Sequence, residues 1–147
     1  MSKTLFMETT KINPEQTVGE IQSVLGKYGA AGIQMEYQDG EIKAVAFILN
    51  IQERRVPFLL PCRWEAVYKT MTGRMRKQRA SRADEYVLQS KRVAWRQILR
   101  WVEAQMAMVE TDMVKIEEVF MPYAVIDNKG TTLFQKMVGS KFLLESK

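Results

Sequence analysis

The period of the hydrophobic pattern changes several times along this chain, and each change marks an element. Thr4 to Ile12 is rich in β-branched and large apolar residues and predicts a first strand. Asn13-Pro14-Glu15-Gln16 is a helix start, with Asn as N-cap, Pro at the first helical position and Gln three residues after the cap. Val18, Ile21, Leu25 and Tyr28 follow at helical spacing, and Gly26 and Gly29 offer exits. Ile33, Met35 and Tyr37 then alternate with Gln34, Glu36 and Gln38, as in a half-buried strand. Asp39-Gly40 suits a type I′ hairpin turn. Ile42 to Ile51 is almost continuously apolar and predicts the central strand. Glu53-Arg54-Arg55 turns into Val56 to Leu60, where Pro57 indicates an edge strand.

Beyond Pro61 the period becomes helical. Trp64, Val67, Tyr68 and Met71 form an i, i+3, i+4, i+7 stripe, enough for one helix on the sheet. Arg74 to Arg82 is a polar, basic connection, after which Ser81 and Asp84 supply an N-cap and an N3 carboxylate. An apolar stripe then persists from Ala83 to Phe120, and Pro122 ends it. A helix of that length would span about 57 Å, longer than so small a domain. It either breaks, near Ser90, or projects and pairs with a partner. Tyr123 to Ile126 and Thr131 to Gln135 flank Asp127-Asn128-Lys129-Gly130 and predict a short terminal hairpin or a tail.

The expectation is an α+β fold: an antiparallel-rich β-α-β-β-β sheet region, then a helix and a long helical C-terminal region. At 147 residues and 46% apolar the chain makes one domain, with the sheet and one helix over 1–61, helices over 62–121 and the hairpin or tail over 122–147. The helix, three-strand meander, helix order resembles that of a double-stranded-RNA-binding domain in topology alone. The turn Asp39-Gly40 is shorter than the loop such domains insert into a minor groove, and Cys62-Arg63-Trp64-Glu65-Ala66 stands where they begin a helix with a lysine cluster.

Composition removes most chemistry. The chain has no histidine and one cysteine, Cys62, so histidine-based acid–base and nucleophilic mechanisms are excluded and a zinc site would lack its usual ligands. Cys62, at a strand-to-helix junction, reads as a small buried apolar residue and fits a reducing cytoplasm. Phosphate-binding glycine loops are missing, and Glu117-Glu118 reads as a solvated helix face. The longest apolar run, Ala44 to Leu49, is too short to span a bilayer, and Met1 to Thr10 lacks the apolar core of a signal peptide. Neither an enzyme nor a cofactor is expected.

Charge says more. Arg63 to Arg100 carries eleven Lys and Arg against three acids, a local balance of +8 in a chain of +5, whereas Trp101 to Met121 balances at −4. Like charges held this close repel, so such a block exists to meet a polyanion or to stay solvated. Arg92, Arg96 and Arg100 fall four apart, on one ridge opposite Ile98 and Trp101. With Arg74, Arg76, Lys77, Arg79 and Arg82 they form a candidate phosphate track, and Arg54 and Arg55 extend it from a hairpin tip. Trp64, Tyr68, Trp95 and Trp101 could stack bases, yet all four lie on apolar stripes and read first as core. Met106, Met108 and Met113 are candidates for an oligomer interface along the long helix.

The run Arg92-Val-Ala-Trp-Arg-Gln-Ile-Leu-Arg-Trp-Val-Glu-Ala-Gln-Met, continuing to Val119-Phe-Met-Pro-Tyr, resembles a segment of small uncharacterised proteins of tailed phages and prophages. The resemblance implies a bacterial cytoplasm and a role in handling nucleic acid or in blocking a host defence system. Two functions are therefore expected. The first is a non-enzymatic protein that binds nucleic acid, single-stranded DNA by preference and with weak sequence specificity, in phage replication or recombination. The second is an inhibitor or adaptor that binds a host enzyme. Expected partners are nucleic acid, further copies of the chain through the long helix, or a host protein, with no membrane.

Overall fold

A computed structural model describes residues 4–74 and 82–141. In order they form α1 (Pro14–Lys27), β1 (Gly32–Gln38), β2 (Glu41–Ile51), β3 (Arg54–Pro61), α2 (Trp64–Gly73), α3 (Ala83–Glu110), α4 (Ile116–Phe120) and α5 (Leu133–Gly139). The fold is α+β, with one three-stranded antiparallel sheet in the order β1-β2-β3. No helix among these residues is long and apolar enough to cross a membrane.

The turns follow from local chemistry. Asp39 and Gly40 have φ of 54° and 80°, the pair of positive values a type I′ turn demands. Gln52 and Glu53 close the second hairpin with φ of 51° and 68°, two left-handed residues without a glycine. Helix α1 ends when Gly29 takes φ 99°, its N–H bonding to the Gly26 carbonyl and the Ala30 N–H to that of Leu25.

Val45, Phe47 and Leu49 of the central strand, with Phe58 and Leu60 of β3, point into one core. Val18, Ile21 and Leu25 of α1 and Trp95, Leu99, Val102 and Met106 of α3 meet them there. Phe120 is fully buried between the sheet and α3. Its ring lies 5.0 Å from that of Phe47 and 5.7 Å from that of Trp101, both edge-on.

Four expectations are corrected. No strand forms at Thr4 to Ile12: residues 6–9 are turns, with Met7 at φ 66°. Gln89 of α3 donates to the carbonyls of Glu8 and Thr10, and Gln97 to that of Phe6. Held by α3 in this way, the segment pairs with neither sheet edge, and β propensity alone does not make it a strand; Ala124 bridges to Phe58 of β3 instead. The expected hairpin is similarly reduced, to one bridge between Val125 and Thr132. Thr132 then caps α5 by accepting from the Gln135 N–H.

The long helix breaks at Glu110 and runs straight through Ser90. Ser90 is fully buried, its hydroxyl bonded to the Tyr86 carbonyl and facing Met71 of α2. A small side chain there lets two helices approach. At the true break Asp112 turns left-handed (φ 59°). The Asp112 N–H reaches the Val109 carbonyl and the Met113 N–H that of Met108, a Schellman closure that no glycine announces. The cap of α3 differs too: Ser81 lies outside the described residues, and Arg82 flanks the helix.

Candidate functional site

Helices α1 and α3 run parallel: Asn13 meets Arg92 at one end, and the Tyr28 hydroxyl donates to Glu110 at the other (3.0 Å). Helix α2 packs on α3 in the opposite sense, with Arg63 and Val67 at its start beside Ala94, Ile98 and Trp101, and Met71 near its end beside Ser90. In sequence the basic stretch runs from the end of α2 to the start of α3. Arg74 follows the last turn of α2, Arg82 precedes the first turn of α3, and both are exposed. Arg76, Lys77 and Arg79 lie outside the described residues.

The expected ridge on α3 is not a solvent-facing track. Arg96 is only 4% exposed. It ion-pairs with Glu20 of α1 and bonds to the Thr17 hydroxyl (3.4 Å), and its Nε has no hydrogen-bond partner among the described residues. Arg92 is half-buried, donating to the Asn13 side chain (3.2 Å) and to Gln89 (3.3 Å). Asn13, expected to cap α1, spends its side-chain oxygen on Arg92 instead. Arg100 is exposed and ion-paired with Glu103. Residues four apart drift around a helix flanked on two sides, so a ridge that looks uniform in sequence meets α1 at its middle.

Arg54 and Arg55 are exposed, as expected, yet far from the others. Glu41 at the start of β2 pairs with Lys91 of α3, whereas Ile51 at its end faces Arg54 across the ladder. Eleven residues of strand separate those points by about 33 Å. Arg82 lies nine residues beyond Lys91 the other way, about 13 Å along α3. The seven candidate cations among the described residues do not make one strip.

The methionines divide likewise. Met106 is 1% exposed in the protein's own core, which corrects its assignment to an interface, while Met108 is half-buried and Met113 is 68% exposed. Among the aromatics, Trp95 is buried, and Trp64, Tyr68 and Trp101 are half-buried with edge-on aromatic neighbours. Phe47 is core, and Tyr37 is exposed.

Sequence reasoning missed a cleft of about 720 Å³ between the N-terminus of α1, the β1–β2 turn, the start of α2 and α3. Tyr37, Trp64 and Leu88 give it apolar surface. Glu15, Asp39, Glu41 and Glu65 outnumber Lys43 and Lys91 on its walls. The Lys91 ammonium pairs with Glu41 and lies 4.9 Å from the centre of the Trp64 ring. Only the fold brings a turn at 39–40 beside residue 91. The sequence carries no trace of it: the alternation puts Tyr37 on the apolar face of β1, and the structure exposes it.

Cys62 is buried at the junction of β3 and α2, as its neighbours implied. Burial, then the charge of Glu65, pushes its thiol up to about 12 from 9.0. The neutral thiol is thus the folded form, and stability is expected to fall as pH rises from about 9 towards 12, where the unfolded chain ionises first. A thiol reagent at pH 8 should label the native protein at least about a hundredfold more slowly than the denatured one. Equal rates would show an accessible sulfur.

Among the described residues no group of three His, Cys, Asp or Glu could hold a metal ion. The architecture defines a class, a three-stranded antiparallel meander packed on a long helix between two shorter ones. No family model, curated protein or solved structure matches the chain.

Proposed function

We propose that this is a non-enzymatic nucleic-acid-binding protein, favouring single-stranded DNA with weak sequence specificity, of use in phage replication or recombination. Its contact surface is the tip of the α2–α3 hairpin and not the α3 ridge. One observation carries the reading: Arg74 and Arg82 are exposed where α2 ends and α3 begins, and the sequence 74–82 that joins them holds five cations and no acid. The charges that might have competed for phosphate along α3 are already engaged, Lys91 with Glu41, Arg96 with Glu20 and Arg100 with Glu103. Helix α3 itself is packed between α1 and α2, so it does not stand out as a helix for a major groove. A charged tip grips backbone, and backbone carries no sequence.

The test is a fluorescent single-stranded oligonucleotide titrated over a range of salt concentrations. Five phosphate contacts imply a slope of log affinity against log salt of about −3.5, whereas all ten candidate cations would give about −7. Changing Arg76, Lys77 and Arg79 together to Gln should bring the slope near −1.4 and cost at least about tenfold in affinity at low salt. Arg54→Gln with Arg55→Gln, at the far end of the sheet, should change little. No binding at about 50 mM salt, or loss through the Arg54–Arg55 pair instead, would reject the tip.

A further inference from the structure

The cleft beside the β1–β2 turn is a second surface of opposite character. We propose that it receives a cationic side chain of an extended basic segment of a protein partner, the segment itself adding to the free edge of β1. This inference does not depend on the nucleic-acid reading.

Three observations converge. The first is charge: the cleft walls hold four carboxylates against two ammonium groups, a local balance of −2 in a chain of +5. One of those ammonium groups, Lys91, is already held by Glu41, which leaves Glu15, Asp39 and Glu65 facing a single Lys43. An anion is repelled there, and a cation is drawn in.

The second is the kind of surface beside the charge. Tyr37 is 62% exposed and Leu88 44%, both at the cleft, so apolar surface lies next to carboxylates. That combination suits the long methylene stem and charged head of Lys or Arg. The protein already builds the same arrangement internally, with the Lys91 ammonium between the Glu41 carboxylate and the Trp64 ring.

The third is the edge. In the order β1-β2-β3 both outer strands are edges, and they differ. Along β3, Ala124 bridges to Phe58, the Val125 N–H bonds to the Pro57 carbonyl, and Pro57 itself has no N–H to offer. Along β1 no element among the described residues pairs on the outer side, and the strand carries a single charge, Glu36. An unpaired edge is a template for an added strand. Tyr37 and Gln38, the last two residues of β1, line the cleft, so a strand laid on that edge leads a side chain into it.

The test titrates the protein with a nine-residue peptide alternating Arg and Thr, followed by tryptophan fluorescence from Trp64 and by calorimetry, against the same peptide with Glu for Arg. Free arginine and spermine serve as small cations. The expected result is saturable binding of the Arg peptide alone, weakened at least about tenfold by Asp39→Asn with Glu65→Gln and by Tyr37→Ala, and weakened by salt. All three positions are exposed, so these variants should melt as the parent does. Hydrogen exchange should slow at the β1 amides of 32–38 when the peptide binds. Equal binding of the Glu peptide, unchanged affinity in both variants, or unaltered β1 exchange would overturn the proposal. So would arginine or spermine binding as tightly as the peptide, which would make the cleft a small-cation site. Oligonucleotide affinity should not respond to the Asp39–Glu65 double variant, so failure of either reading shows separately.

Discussion

Phe120→Ala is expected to lower the stability of the fold by about 4 kcal/mol, the largest effect of any single truncation considered. Its ring is fully buried and closes a cluster with Phe47, Phe58 and Trp101, at centroid distances of 5.0, 6.1 and 5.7 Å. Removal loses the transfer energy of the ring and its edge-on contacts, and leaves a cavity between two rigid layers, the sheet and α3, that cannot collapse onto it. Helix α4, only five residues long, has no independent stability, so Phe120, together with the Ala124–Phe58 bridge, holds the chain beyond α3 against the sheet. Thermal denaturation should show a midpoint some 10–15 °C lower, by the usual scaling for a domain of this size. Chemical denaturation supplies the energy directly. A loss under about 1 kcal/mol would mean that Phe120 is not buried as described.

The second large effect is asymmetric, and it separates a structural arginine from a phosphate ligand. Glu20→Ala should cost about 2–3 kcal/mol, because it leaves the buried Arg96 guanidinium without its countercharge. The figure is placed below that for a fully buried pair because the Glu20 side chain is 42% exposed, against 5% for Arg96. Arg96→Met, by contrast, should cost less than about 1 kcal/mol or stabilise, since it removes a charge that was expensive to bury and an Nε without a hydrogen-bond partner among the described residues. Oligonucleotide affinity and its salt slope should be the same in Arg96→Met as in the parent. If that variant folds normally yet binds nucleic acid several-fold more weakly with a shallower slope, Arg96 reaches phosphate after all, and the ridge returns as the binding surface.

Much of the fold was legible because its signals are local. Asn13-Pro14 placed the start of α1, the alternation at Ile33, Met35 and Tyr37 placed β1, and Asp39-Gly40 placed the turn at positive φ. Pro57 correctly marked an edge. Reading failed where the outcome depends on a neighbour. The β-branched start of the chain did not become a strand, because side chains of α3 tie down its carbonyls in a turn. The end of α3 was invisible because Asp112, and not a glycine, takes the left-handed position. Arg92, Arg96 and Arg100 share a spacing but not a surrounding. One bonds to Asn13, one is buried against α1, and one pairs along its own helix. The cleft joins residues some fifty positions apart, which no window of sequence spans.

The sequence by itself determined that the chain is α+β with one core, that histidine chemistry is absent, and that five cations without an acid crowd 74–82. These are properties of composition, short-range periodicity and turn chemistry, and each is set within a few residues. The tertiary structure alone decided which charges remain available to a partner. Whether a guanidinium meets water, a carboxylate or a neighbouring helix depends on how α1 and α2 pack against α3, and Coulomb energy responds to distance and burial, not to position along the chain.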